Sequence, residues 1–155
     1  MTAGPRRTLG GAVALVTVLL VLGLLAGCTG YTGSKANQVR QWASTTSVSA
    51  NDGLVRQDIA AIKASLSAGQ LKDVTSNCSG LVFDTGTAYG NLPTPDNTLT
   101  NELNVAYQDF ANAGSSCAAA RSLRSSRMTR ALETIKGGLV SLDAATRRLA
   151  ADGVH

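Results

Sequence analysis

The chain has a single histidine, at position 155, and its three cysteines, Cys28, Cys78 and Cys117, stand in no C-x-x-C or zinc-ligand spacing. That poverty argues against a histidine-based hydrolytic triad, a paired-cysteine redox centre and a bound metal. Neither a Walker loop nor a dinucleotide fingerprint occurs, so nothing in the sequence calls for a nucleotide or another cofactor. The ten acidic residues are scattered, and no two are spaced as a glycosidase pair. An enzyme would therefore need a pocket in which these carboxylates, or the arginines, converge from distant positions. Aromatics make up only 4% of the residues and charges 15%, which leaves Leu, Val, Ile and Ala to build the core and favours packed helices over a β-sandwich.

What the sequence does have is concentrated at its front. Arg6 and Arg7 precede an uncharged, apolar run from Leu9 to Ala26, 18 residues long, which ends in Gly27, Cys28, Thr29 and Gly30. A basic start, an apolar middle and a small-residue exit describe a secretory signal. As a helix the run would reach roughly 27 Å against a hydrocarbon core of about 30 Å, so as a permanent span it is marginal. An uncleaved membrane helix with an incidental cysteine is the alternative, and Arg6-Arg7 also fits a twin-arginine export signal. Each reading places the rest of the chain outside the membrane.

Leu25-Ala26-Gly27-Cys28 resembles the lipobox of bacterial lipoproteins. The resemblance implies cleavage between Gly27 and Cys28, a diacylglyceryl group on the Cys28 sulfur and acylation of the new amino terminus, with fatty chains such as palmitate. Several chains at about 0.8 kcal/mol per buried CH₂ hold a protein on a bilayer where one does not. More loosely, Cys78, Leu92-Pro93, Pro95-Asp96, Ala106-Tyr107 and Cys117 are similar to a pattern in small, alanine-rich lipoproteins of high-G+C Gram-positive bacteria. That likeness bears on location and fold and implies nothing about mechanism.

With residues 1–27 removed, Arg6 and Arg7 are lost and the formal charge of +4 falls to +2. So small a net charge, with few aromatics for stacking, speaks against nucleic acid as a partner. The expected partners are the membrane, through the lipid, and an envelope protein or small ligand. With Cys28 lipidated, Cys78 and Cys117 remain in an oxidising compartment, and a disulfide between them is the natural expectation over free buried thiols or redox and metal chemistry.

The chain divides into three segments: 1–27, the signal; 28–49, a tether and a short helix over Lys35 to Ala43; and 50–155, a helical domain. Trp42 reads as a lid on the core or as a membrane-interface contact. Serine and β-branched residues from Ser44 to Ser49 predict a break, with Asn51 or Asp52 starting the next helix. That helix carries Leu54, Val55, Ile59, Ile62 and Leu66 at helical spacing and stops before Gly69. A second covers Leu71 to Tyr89, interrupted in character by Gly80 and Gly86.

The prolines of Gly90–Asp96 mark a loop in which Asp84 and Asp96 could meet, although capping is the ordinary role of an aspartate there. A third helix comes next, with Leu99, Leu103, Ala106, Tyr107, Phe110, Ala113 and Cys117 on one stripe. The fourth spans Ser126 to Ala151, with a soft spot at Gly137-Gly138 and an expected Asp143–Arg147 surface pair. The fold expected is all-α: an antiparallel bundle of about four helices after the signal helix, with one disulfide between staggered helices. Arg121, Arg124, Arg127 and Arg130 are the one local concentration of charge. They read either as solvated surface or as a contact for acidic headgroups or an anionic polymer.

Overall fold

The computed structural model describes residues 30–155, so the signal segment, Gly27 and Cys28 lie outside the described residues. Five helices account for the folded unit Tyr31–His155: α1 (Lys35–Thr46), α2 (Val48–Ser67), α3 (Leu71–Tyr89), α4 (Asn97–Ala118) and α5 (Ser126–Ala151). There is no strand among the described residues. Successive helices from α2 to α5 pack along their lengths as an up-and-down bundle, and α1 touches α2 only lightly. None of the described helices is long and apolar enough to cross a membrane.

The local starts and stops have plain causes. Ser34, Asp96 and Ser125 each accept a hydrogen bond from the backbone N–H three residues on, capping α1, α4 and α5. Gly69, at φ +69°, ends α2 in the left-handed conformation that glycine adopts without steric cost. Asp96 is thus a cap, and the backbone N–H of Leu99 that it accepts holds its carboxyl below the usual range.

Two expectations at the front of the domain need correction. The α1 helix runs a turn past Ala43, to Thr46, because Ser44, Thr45 and Thr46 return their hydroxyls to the carbonyls of Gln41 and Trp42 and stay helical. The break falls at Ser47, at φ 53°, and α2 begins at Val48. Asn51 does not start that helix: its Nδ2 donates to the Thr46 carbonyl at 3.1 Å, sealing the end of α1. Asp52 turns into the core instead, 7% exposed.

The predicted apolar stripes form one core, with exceptions. Val55, Ile59, Ile62, Val74, Leu81, Leu99, Leu103, Phe110, Ile135 and Leu142 are all buried. Leu54, expected in that stripe, is 46% exposed, because burial of Asp52, Val55, Ile59 and Ile62 turns its side of α2 outward. Val39, Trp42 and Ala43 of α1 belong to the same core, so the short helix placed with the tether is part of the packed unit. Trp42 is a lid, 1% exposed, and its Nε1–H donates to the Asn91 carbonyl at 2.9 Å.

Cys78 and Cys117 are joined as a disulfide, with Cα atoms 5.8 Å apart. Cys78 lies 11 residues before the end of α3 and Cys117 lies 20 after the start of α4. At about 1.5 Å per residue, α4 therefore begins roughly 14 Å beyond the end of α3. The Gly90–Asp96 loop climbs that step, and α1 is bound to it: Lys35 donates to the Pro95 carbonyl, and Asn91 Nδ2 to that of Thr46.

Close approach of the helices depends on two glycines. A Cβ on Gly114 would stand 2.8 Å from Val82 Cγ2 and 2.9 Å from the Cys78 carbonyl, where the disulfide draws α3 and α4 together. Gly138 receives the ring of Phe110, whose Cε1 would be 2.7 Å from a Cβ there. The soft spot expected at Gly137-Gly138 is thus a packing position within a continuous helix.

Candidate functional site

Between α3 and α4 lies a cleft of about 470 Å³, lined by Thr85, Gly86 and Tyr89 from one helix and Tyr107, Gln108, Ala111 and Asn112 from the other. Its existence follows from residue size. Gly86 has no side chain and nothing within 4 Å of where a Cβ would be, and Ala111 faces it with a single methyl. A glycine that weakens α3 as a helix former therefore opens its wall. Tyr89, 44% exposed, stands at the rim, while Thr85 and Tyr107 are buried to 1%.

Behind the cleft lies a buried polar contact. Tyr107 donates its phenolic hydrogen to Asp52 Oδ1 at 2.7 Å, a bond that joins α4 to α2 through the core. Burial, then the charge of Asp52, then that hydrogen bond hold the phenol protonated far above its ordinary range. Burial pushes the Asp52 carboxyl up to about 6, against the lowering effects of the Tyr107 hydrogen bond and the nearby Arg56. Thr85 Oγ1 is buried without any hydrogen-bond partner, although a helical threonine ordinarily bonds back to the preceding turn. Gln108 and Asn112, one turn apart, supply amide donors and acceptors, and no Asp, Glu, Lys, Arg or His lines the cleft.

Charged groups converge elsewhere, already committed to structural partners. Glu102 takes a two-pronged hydrogen bond from Arg148, at 3.1 and 3.2 Å, beside the helix cap Asp96. Asp143 is paired with Arg56 of α2 at 2.7 Å, which replaces the expected Asp143–Arg147 pair: a neighbouring helix presents a cation closer than the next turn does. Ser49, Asp52, Arg56 and His155 share a cleft where the start of α2 meets the end of the chain. No hydrogen bond links Ser49, Asp52 and His155 into a relay, and Asp52 is engaged by Tyr107.

Asp84 meets Asp58 across the α2–α3 contact and not Asp96. Burial first, then the nearby Asp84 carboxyl, push the Asp58 carboxyl up to about 6. Asp58 Oδ2 is buried without a hydrogen-bond partner. No group of three or more His, Cys, Asp or Glu suited to a metal occurs among the described residues.

Of the site residues expected from sequence, Cys78 and Cys117 are brought together, and Arg121, Arg124, Arg127 and Arg130 all lie exposed around the α4–α5 loop. Gly27 and Cys28 are outside the described residues. The cleft residues escaped sequence reasoning because they come from two helices whose register the stagger sets. Gly86, an unexplained glycine inside a helical pattern, was their one signal. No family model, curated protein or solved structure matches the chain.

Proposed function

We propose that this chain is a lipid-anchored protein of the extracytoplasmic membrane face and a non-enzymatic binding module, with Cys28 carrying the anchor and the α3–α4 cleft taking an uncharged ligand. The observation that supports binding is the cleft. Its volume of about 470 Å³ falls in the range typical of small-molecule sites, roughly 300–1,000 Å³. Its apolar walls carry few polar groups: the Thr85 hydroxyl, the Tyr89 rim and the Gln108 and Asn112 amides. With no ionisable Asp, Glu, Lys, Arg or His in the lining, a charged ligand would be desolvated there without compensation.

A neutral, planar fluorophore such as Nile red tests this reading on the full chain. Gly86→Leu fills open space and improves a helical position, so the variant keeps its fold while closing the cleft. Dye affinity should fall about tenfold or more, the loss of a hydrophobic contact of side-chain size; equal affinity would refute the site. Location is supported by Leu25-Ala26-Gly27-Cys28 after an uncharged apolar run. Cys28→Ser should abolish palmitate labelling and leave residues 1–27 attached, and normal processing of that variant would refute the anchor.

A second reading, an accessory subunit of an envelope complex, draws on the α2–α5 seam. Ile59, Ile62, Leu66, Leu132 and Ile135 border an apolar groove there of about 290 Å³. A stoichiometric partner recovered with the full chain and lost on Leu132→Glu would favour it.

A further inference from the structure

The small net charge conceals a strong separation of charge along the bundle. One end is formed by the α2–α3 turn, residues 68–70, and the α4–α5 loop, residues 119–125. Around it stand Lys63, Lys72, Arg121, Arg124, Arg127 and Arg130, all exposed, against the carboxylate of Asp73; Glu133 and Lys136, level with Lys63 on α5, pair with each other and cancel. Six cations and one anion leave five net positive charges at this end. The chain after Cys28 holds twelve Lys and Arg against ten Asp and Glu, so everything else together carries three net negative charges.

None of the six cations is engaged in an ion pair among the described residues, where the pairs are Arg56–Asp143, Lys136–Glu133 and Arg148–Glu102. Arg127 gives one N–H to the Ala119 carbonyl at the end of α4, at 3.1 Å, which orients it and leaves its charge uncompensated. Lys63 and Lys72 come from other helices, so the patch is richer in cations than the 121–130 segment suggests when read alone. No Phe, Tyr or Trp occurs in residues 63–73 or 119–130, so there is nothing here on which bases would stack.

The opposite end carries the start of the folded unit. Arg40 on α1 donates to the Asp152 carbonyl, Lys35 to that of Pro95, and Thr32 is held by Gln41. Cys28 precedes Tyr31 by three residues and so lies within about 11 Å of it along an extended chain. The 26 residues of α5 alone span about 39 Å between the two ends. If Cys28 is the anchor, the one point at which the inference rests on the proposed location, the tether joins the folded unit at the end opposite the basic one and leaves the basic end clear of the attachment point.

We propose that this end is a docking surface for a phosphate-bearing anionic polymer outside the membrane. Planar guanidinium groups bind phosphate oxygens in pairs, and several of them on mobile side chains suit a repeating linear anion better than one compact ligand. Affinity of this kind is largely electrostatic and weakens steeply with salt.

The probe is fluorescently labelled inorganic polyphosphate, added to the full lipidated chain in phosphatidylcholine vesicles at physiological salt. Replacing all four arginines by glutamine (R121Q/R124Q/R127Q/R130Q) should weaken binding about tenfold or more. Arg147→Gln, exposed at the other end, should leave it unchanged, and circular dichroism should show both variants folded. Equal binding by the fourfold variant overturns the proposal. So does a wild type that ignores polyphosphate while its four arginines hold phosphatidylglycerol vesicles, which would make the surface a membrane contact. Cys28→Ser protein in detergent should still bind polyphosphate, so a failed anchor and a failed docking surface give different results.

Discussion

Asp52 and Asp58 carry carboxyls that burial has pushed up to about 6, from an ordinary 3.8. In both cases the folded state binds the proton more tightly than the unfolded chain does. Their contribution to stability is therefore fully present below about pH 4 and is lost as pH rises through about 6. Asp96 acts in the opposite sense: its carboxyl is lowered by capping α4, so its contribution is lost as pH falls through that lowered value. The melting temperature should thus rise as pH is lowered from 7.5 to about 5 and drop again in stronger acid. Asp52→Asn should remove a large part of the rise while keeping a hydrogen-bond acceptor for Tyr107; a variant with the full rise would show that Asp52 ionises freely in the fold. Placing such a carboxylate in a core stripe is not something periodicity can do. In the sequence Asp52 stands where a helix start would, and only the reach of Tyr107 from α4 shows why it is buried.

At the scale of the helix, glycines separate by what faces them. Gly114 sits where α3 and α4 nearly touch, and a methyl group there would meet backbone, so Gly114→Ala should cost about 1–3 kcal/mol. Gly86 faces open space in the same pair of helices, and Gly86→Ala should stabilise by about 0.5–1 kcal/mol. Urea unfolding of the two variants checks the pair, and similar values for both would mean that propensity, not packing, sets the helix spacing. In sequence both glycines read alike, as weak points. The long, periodic elements were legible: α3 and α5 begin and end where their spacing places them, because a stripe of apolar residues at steps of three and four has one way to be buried. Ser44–Thr46 was illegible because hydroxyl groups can either break a helix or back-bond within it, and the tertiary setting of α1 decides. The cleft, the Asp58–Asp84 contact and the Arg56–Asp143 pair all depend on how neighbouring helices are offset, which no single helix encodes.

Across the whole folded unit, cohesion is uneven. The α3–α4 and α4–α5 pairs pack extensively and the disulfide ties α3 to α4, whereas α2 packs extensively on α3 alone and meets α5 chiefly through side chains. Beyond the Arg56–Asp143 pair, which is half-exposed and so worth little, an apolar groove separates α2 from α5. Local opening should therefore begin with α1 and α2, leaving α3, α4 and α5 as the last unit to unfold. The disulfide sharpens this order, because closing a loop with a sequence separation of 39 removes roughly 4 kcal/mol of freedom from the unfolded α3–α4 segment and none from α2. Native-state hydrogen exchange should find amides of Val55, Ile59 and Ile62 opening at lower free energy than those of Leu103, Phe110 and Leu142. Reduction of Cys78 and Cys117 should lower the protection of the second group by several kcal/mol and that of the first by much less. If both groups fall together from equal starting values, the five helices unfold as one cooperative body, and the α2–α5 seam is then no weaker than the others.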